Sequence, residues 1–162
     1  MIEKTLILIK PDGVKRGLIG DILKRFEQRG LKIIGMKMVQ PTKTLAGKHY
    51  AESIAEKHGE QVRNYLIDYI TVSPIIAIAV QGVHAIAVVR KIIGSTYPGE
   101  ASVGTIRGDF AHLSKEYARK YNQGQNLVHA SENEEDATKE LGLWFTKEEL
   151  HTYKRIDEDQ IL

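Results

Sequence analysis

Residues 74–80 read PIIAIAV, an unbroken apolar run that restricts the possible architecture more than any other segment of the chain. A strand with one face in water alternates apolar and polar residues, whereas a strand that is covered on both faces does not. We therefore expect this run to be a central strand of a sheet, with packed layers on both sides.

Three further segments are expected to be strands around it. Residues 5–10, TLILIK, are aliphatic or β-branched and end at a Pro-Asp-Gly turn. Residues 31–39 alternate two sets of side chains until Pro41 terminates the segment. Residues 126–131, NLVHAS, form the last predicted strand, which carries His129.

Helical spacing of apolar residues fills the segments between these strands. The last helix is predicted to open with a capping box at 131–134, to carry acids in its first turn, and to bury Ala137, Leu141 and Trp144. The earlier predictions are a helix at 18–29 ending at Gly30, a helical hairpin at 42–72 broken at His58-Gly59, and a helix from Val83 to Ile93 stopped by Gly94.

The resulting order is β-α-β-β-α-β with a helical hairpin inserted between the middle strands. This is the ferredoxin-like, or split-βαβ, arrangement of an α/β protein: an α+β sandwich in which helices pack on an antiparallel four-stranded sheet. Residues 95–125 form a long segment of glycine, proline and charge with little periodicity. A loop of that length inside a compact domain is usually functional.

Composition narrows the function classes. The 162 residues are the size of one domain, and we predict a single domain over 1–162. The absence of cysteine excludes a disulfide scaffold and a cysteine nucleophile. The first apolar segment is too short for a signal peptide or a membrane span, so we expect a soluble, cytoplasmic protein with no membrane partner. A net charge of +2 with mixed signs is unlike a dedicated nucleic-acid binder, so no nucleic-acid partner is expected.

His129 is a candidate nucleophile. Alternation along its strand places Leu127, His129 and Ser131 on one face, and Glu140 borders the buried stripe of the last helix. A carboxylate there can accept the proton of one ring nitrogen and leave the lone pair of the other nitrogen as the nucleophile. The alternatives are a structural histidine and a solvated glutamate.

Phosphate, if it binds, must be held by side chains. The chain contains no G-x-x-x-x-G-K-[ST] motif and no G-x-G-x-x-G after a strand. Lys10 ends an otherwise apolar strand, where a cation requires an anionic partner. Arg90, Thr96 and Arg107 lie in or next to the long loop, and arginine offers a planar fork suited to phosphate oxygens. A lysine that reaches solvent and ordinary surface arginines are the alternatives.

Six blocks of the sequence resemble the nucleoside diphosphate kinase family, in the family's order and over nearly the whole chain. Six ordered blocks are far more specific than any one motif. The blocks are KPDGV at 10–14, HY at 49–50, Arg90 followed by GST at 94–96, GTIRGDF at 104–110, NxxHAS at 126–131 and KELGLWF at 139–145.

The resemblance implies a role for each matching residue. His129 is the implied phosphorylated nucleophile, Glu140 orients its ring, and Ser131 lies close to it. Asn126, with Lys10, is implied to reach the ribose hydroxyls. The implied phosphate ligands are Lys10, Tyr50, Arg90, Thr96 and Arg107.

The resemblance also implies an activity. A nucleoside triphosphate such as ATP or GTP would give its γ-phosphoryl group to a nucleoside diphosphate by a ping-pong mechanism, with broad base specificity. Mg²⁺ is the implied cofactor, held mainly by the nucleotide phosphates and without a protein metal site. Family members are usually hexamers built from dimers, so a homo-oligomer is expected.

The chain departs from the family beside the site. The family aromatic that stacks on the base falls near Val62, after extra residues. Glu132 replaces the usual aspartate after the serine. Extra residues also separate Phe110 from Asn126.

The insert between Phe110 and Asn126 is expected to contain a short helix. Leu113, Tyr117 and Tyr121 recur there at helical spacing. The predicted helix turns an apolar edge toward the nucleotide or a neighbouring subunit, and a solvated loop is the alternative.

Two other function classes are compatible with the predicted fold. A ferredoxin-like domain can bind RNA, but these strands lack the paired exposed aromatics on which bases stack. A catalytically silent relative would act as a nucleotide-dependent interaction protein, and it would normally have lost the nucleophile or its phosphate ligands. An acid-labile, alkali-stable phosphoprotein formed from γ-labelled ATP would separate the enzyme from both.

Overall fold

The computed structural model describes residues 1–161, and in them an antiparallel sheet has the strand order β2-β3-β1-β4. β3 pairs with β2 on one side and with β1 on the other, so the apolar run at 74–80 is a central strand, as predicted. The strands are β1 (Ile2–Ile9), β2 (Lys32–Val39), β3 (Ile75–Val83) and β4 (Val128–Ala130).

Ten α-helices lie within the described residues, and two short 3₁₀ turns follow α6 and α9 at Pro98–Glu100 and Lys147–Glu149. The helices are α1 (Pro11–Lys15), α2 (Ile19–Gln28), α3 (Lys43–His49), α4 (Glu52–His58), α5 (Glu60–Ile70), α6 (Ala85–Ile93), α7 (Ile106–Phe110), α8 (Lys115–Tyr121), α9 (Glu134–Trp144) and α10 (Glu158–Ile161).

Alternate residues of β1 face two different layers. Ile7 and Ile9 are buried against α2 and α6, the two crossover helices of the βαββαβ pattern. Leu6 and Leu8 are buried on the other face, against α3, α5 and α9. Because both faces are covered, neither β1 nor β3 alternates between apolar and polar residues. The predicted ferredoxin-like sandwich is confirmed.

The middle of the chain differs from the prediction in two places. The predicted hairpin at 42–72 contains three helices, because a break at Tyr50-Ala51 precedes the predicted one at Gly59. Val83 ends β3 instead of starting a helix. The chain turns into α6 at His84, which adopts the left-handed conformation with φ of +49°.

The last long helix starts later than the predicted capping box. Asn133 is the N-cap of α9, and its side chain accepts a hydrogen bond from the backbone N–H of Asp136 at 2.9 Å. Ser131 lies before the cap, so its hydroxyl is available for another partner. The acidic first turn and the burial of Ala137, Leu141 and Trp144 agree with the prediction.

The long loop at 95–125 contains two short helices, α7 and α8. The second is the predicted helix of the insert; Ser114 caps its N-terminus, and Asn122 ends it with φ of +50°. Tyr117 and Tyr121 are about half exposed on it. Within residues 1–161, no helix combines the length and apolarity needed to cross a membrane.

Candidate active site

β4 presents His129 toward α3 and α9. The neighbours of His129 in the strand, Val128 and Ala130, are buried in the layer on the opposite side of the sheet. His129 is paired with Leu8 of β1, and its side chain is 21% exposed. The imidazole is therefore held by a buried strand and still reaches solvent.

Glu140 of α9 fixes the orientation of this ring. Nε2 of His129 lies 2.9 and 3.0 Å from the two carboxylate oxygens, and the Ser131 hydroxyl donates to Oε2 at 2.6 Å. Burial raises the pKa of Glu140, but the hydrogen bonds from His129 and Ser131 lower it and the net shift is downward, so the carboxylate is ionised. The carboxylate can only accept, so Nε2 carries the proton and Nδ1 keeps a free lone pair.

His49 lies beside His129 and Glu140, and this contact was not predicted from the sequence. Its ring lies 4.5 Å from the His129 ring, edge to face, and Trp144 Nε1 donates to its Nδ1 at 3.2 Å. Burial, and then the charge of His129, lowers the pKa of His49 to about 3. The ring is therefore neutral. The sequence feature that could have pointed to a role for His49 was its place beside Tyr50 in the HY block.

One group of possible metal ligands lies in the described part of the chain, at His49, His129 and Glu140. One ligand atom from each residue lies within 4.8 Å of the others. His49 Nδ1, His129 Nε2 and the Glu140 carboxylate already take part in the hydrogen bonds described above, whereas His49 Nε2 is buried without a partner within residues 1–161. Mg²⁺ prefers oxygen ligands, so this nitrogen-rich set does not suit it.

Lys10 is a buried cation. It is 5% exposed, and its Nζ donates to Asn126 Oδ1 at 2.8 Å. Burial, followed by the charge of Arg107, lowers its pKa to about 8. Among residues 1–161 no carboxylate forms a salt bridge with it, so the anionic partner expected from the sequence is not a side chain.

Asn126 connects the lysine to the long loop. Its side-chain amide accepts from Lys10 and donates to the Thr96 carbonyl at 2.9 Å. Thr96 itself is exposed. The sequence-predicted residues Lys10, Thr96 and Asn126 are thus brought together.

Arg107 is largely occupied by the backbone. The residue is 7% exposed, and its guanidinium donates to four carbonyls, those of Asn126, Val128, Gly94 and Ser95. Arginine has five N–H donors, so these four bonds leave one N–H for another partner. Burial, followed by the charge of Arg90, lowers the pKa of Arg107 to about 10, which places the exposed Arg90 nearby.

The backbone turns sharply just before the histidine strand. Leu127 has φ of +70°, and Val128 N–H donates to the Asn126 carbonyl at 2.8 Å, which closes a three-residue γ-turn. Leu127 is buried in the same layer as Val128. The prediction that Leu127 shares a face with His129 and Ser131 is therefore wrong, because the turn breaks the period-two alternation at Leu127.

Tyr50 and Val62 have different surroundings from each other. Tyr50 is 6% exposed, its hydroxyl has no partner among the described residues, and burial raises its pKa. Val62 is half-buried on α5. On the same helix, the Tyr65 hydroxyl accepts from the Gly124 N–H at 2.9 Å, so Tyr65 is the side chain that joins the hairpin to the loop.

Comparisons with known proteins agree on one family. A family model described as nucleoside diphosphate kinase matches residues 3–150. A nucleoside diphosphate kinase of Borreliella burgdorferi is 47% identical over 160 residues, covering 98% of this chain and 96% of the relative.

Solved structures give the same result. A transition-state mimic of nucleoside-diphosphate kinase from Borrelia burgdorferi, with bound vanadate and ADP, is similar with a TM-score of 0.96 and 46% identity, over 99% of this chain and 96% of the other. A halophilic nucleoside diphosphate kinase from Halobacterium salinarum, in complex with CDP, has a TM-score of 0.87 and 35% identity, over 100% and 99% of the two chains.

Proposed function

Because the chain belongs to the nucleoside diphosphate kinase family, we propose how its own residues transfer a γ-phosphoryl group from a nucleoside triphosphate to a nucleoside diphosphate. The main observation that supports this proposal is the orientation of His129, whose Nε2 is bonded to Glu140 while Nδ1 is left with a free lone pair.

The transfer is a ping-pong reaction in two half-reactions. Nδ1 of His129 attacks the γ-phosphorus, a phosphorus–nitrogen bond forms, the bond to the β-phosphate oxygen breaks, and the diphosphate leaves with that electron pair. The phosphorylated ring keeps its Nε2 proton, and Glu140 stabilises the positive charge that develops on the ring. A second nucleoside diphosphate attacks the phosphoryl group and restores the neutral ring.

Side chains rather than a glycine loop hold the phosphates in this proposal. Lys10, Arg90, the exposed Thr96 hydroxyl and the free N–H of Arg107 bind oxygens whose charge increases in a loose transition state. The buried Tyr50 hydroxyl, which has no partner within residues 1–161, is a further donor for the same oxygens. Phosphate is thereby the missing anionic partner of Lys10.

Asn126 and Lys10 form the ribose end of the site. Their side chains are already bonded to each other at 2.8 Å, so the ribose hydroxyls can bind a preformed pair. We propose broad base specificity, with ATP and GTP both accepted, because the side chains assigned here recognise phosphate and ribose. Val62 stays the predicted position of the base contact.

Nucleotide kinases act on metal-bound nucleotides, and we propose that the metal here is Mg²⁺. Bound to the nucleotide, it would neutralise part of the phosphate charge. The one cluster of candidate ligands in the described residues is rich in nitrogen, which supports Mg²⁺ arriving as part of the substrate rather than residing in the protein.

A homo-oligomer, a hexamer by family resemblance, is the proposed assembly. β2 is an edge strand, and Met36 and Met38 on it are 55% and 60% exposed. Exposed apolar side chains on a sheet edge favour pairing with another copy. The single domain over 1–162, the cytoplasmic location, and the absence of nucleic-acid and membrane partners stay predictions.

An RNA-binding module is disfavoured by the sheet. RNA-binding sheets stack bases on aromatics of an open face, whereas layers of helices cover both faces here. A catalytically silent relative can be distinguished from the enzyme only by measuring phosphoryl transfer.

The test is to incubate the protein with γ-labelled ATP and measure acid-labile, alkali-stable label on the protein. We expect label on the wild-type protein, none on His129→Ala, and wild-type label on His151→Ala, an exposed histidine near the C-terminus. Nucleotide binding should survive in His129→Ala. Label at wild-type stoichiometry on His129→Ala would contradict the proposal and direct attention to His49 or His112, and an unlabelled wild-type protein would favour the silent relative.

A further inference from the structure

The γ-turn at Leu127 lies between two residues of the proposed reaction. Asn126 precedes it and bonds Lys10, and His129 follows two residues after Leu127. A γ-turn with positive φ is rare and strained, and Leu127 is a fully buried residue without the freedom of glycine. Such a conformation persists only where surrounding groups hold it.

Four hydrogen bonds from outside the turn hold it. Lys10 N–H donates to the Leu127 carbonyl at 2.8 Å, and Arg107 donates to the carbonyls of Asn126 and Val128 at 3.1 and 2.7 Å. The fourth comes from Asp12, whose Oδ2 accepts from the Leu127 N–H at 3.0 Å. Asp12 is the only side-chain acceptor among these four contacts.

Asp12 is itself fixed by its surroundings. It lies in the first turn of α1, and its backbone N–H donates to the Tyr69 hydroxyl at 3.1 Å. Its second carboxylate oxygen, Oδ1, is buried without a partner within residues 1–161. The carboxylate is half-buried, and its Oδ2 is bonded to the Leu127 N–H, so its placement as well as its charge can act on the turn.

We propose that Asp12 is a positioning residue for the phosphoryl transfer: its carboxylate holds the strained turn at Leu127, so that Asn126 meets Lys10 and Nδ1 of His129 faces the γ-phosphate. This inference rests on the proposed role of His129. Losing the acceptor leaves the buried Leu127 N–H without a partner, so the turn relaxes and both neighbours move.

A rival explanation uses the charge of Asp12 alone. That charge raises the pKa of Lys10 and of Arg107, and so it keeps both cations protonated. Two conservative variants separate the explanations. Asp12→Asn keeps an acceptor in place without the charge, and Asp12→Glu keeps the charge but moves the acceptor by one methylene.

The experiment measures single-turnover labelling of His129 by γ-labelled ATP, the dissociation constant of ADP, and the thermal midpoint. For Asp12→Asn we expect a labelling rate within about 3-fold of wild type, and for Asp12→Glu a rate about 10- to 100-fold lower, since misplacement of about 1 Å costs that much. Affinity for ADP should change less than the rate in both variants, because the phosphate ligands remain.

Each outcome separates the two claims. Slow labelling in Asp12→Asn with fast labelling in Asp12→Glu would overturn the positioning role in favour of charge. Wild-type rates in both, with only the thermal midpoint lowered, would reduce Asp12 to a structural residue. If the wild-type protein forms no phosphohistidine at all, the proposed function fails and this inference fails with it. If the wild-type protein is labelled and His129→Ala is not, the proposed function stands, and the labelling rates of Asp12→Asn and Asp12→Glu then decide this inference.

Discussion

Glu140 uses both carboxylate oxygens on His129, and one of them also on Ser131. In Glu140→Gln the amide carries no charge to stabilise the phosphorylated ring and can present an N–H₂ to Nε2. We expect His129 to be labelled about 10-fold more slowly or worse, with little change in nucleotide affinity, because the loss falls on the transition state.

The matched control is Glu135→Gln, an exposed glutamate of the same helix, which should label at the wild-type rate. Equal single-turnover rates for Glu140→Gln and wild type would show that Glu140 has no part in the labelling step.

Side-chain positions were predictable where a local pattern determines them. His129, Ser131 and Glu140 meet as expected, because a strand and the following helix fix their relative positions. Leu127 was placed on the wrong face, since a γ-turn is held by Asp12 and Arg107, which are distant in sequence. The contact of His49 with His129 was missed for the same reason: it joins α3 to β4, and no short-range pattern reports it.

The hairpin of α3, α4 and α5 faces the long loop, and the base contact is predicted to lie on α5. Val62→Phe should tighten binding of all nucleoside diphosphates by up to about 1 kcal/mol, the size of an added stacking contact. Similar gains for adenine, guanine and pyrimidine nucleotides are expected because every base has a π-face.

Isothermal titration with ADP, GDP and CDP measures the effect, and Gln61→Phe, an exposed neighbour, is the control. Unchanged affinities in Val62→Phe would move the base contact to another side chain. Tyr65, already bonded to Gly124 of the loop, is the next position to test.

At the scale of elements, strands were easier to place than short helices. All four predicted strands are present, although β4 spans only Val128–Ala130 and not the predicted 126–131, because the turn at Leu127 precedes it. The break at Tyr50-Ala51 and the five residues of α7 escaped prediction, because segments of one or two turns are too short to show a 3.6-residue period.

Assembly is a property of the whole molecule, and α8 is the part of the insert that we expect to contribute to a subunit contact. Tyr117 is 49% exposed, its ring lies 4.4 Å from that of Tyr121, and it lines a cleft of about 550 Å³ with Arg16 and His112. We expect Tyr117→Ala to weaken the oligomer or nucleotide binding, while phosphoryl transfer in intact sites survives.

Sedimentation velocity and ADP titration measure the two effects, with Arg119→Ala, exposed on the same helix, as the control. A Tyr117→Ala protein with wild-type mass, thermal midpoint and affinity would show that the insert has no part in either.

The overall topology was predictable because the apolar run at 74–80 does not alternate with polar residues, and such a strand requires packed layers on both faces of the sheet. The helices that supply the cover follow from helical spacing between the strands. The path of the loop at 95–125 was not predictable, since it is set by contacts such as that of Arg107 with four carbonyls, which tie the loop to the histidine strand.

The buried ammonium group of Lys10 has a consequence for folding. Its pKa of about 8 in the folded chain lies below the 10.5 of an unfolded one. The unfolded chain therefore binds the proton more tightly, and the charge opposes folding fully below pH 8 and progressively less as the pH rises toward 10.5. In the proposed site a bound phosphate would offset that opposition. We therefore expect a nucleoside diphosphate to raise the thermal midpoint more at pH 7 than at pH 10, because at the higher pH less of the Lys10 charge remains to be offset.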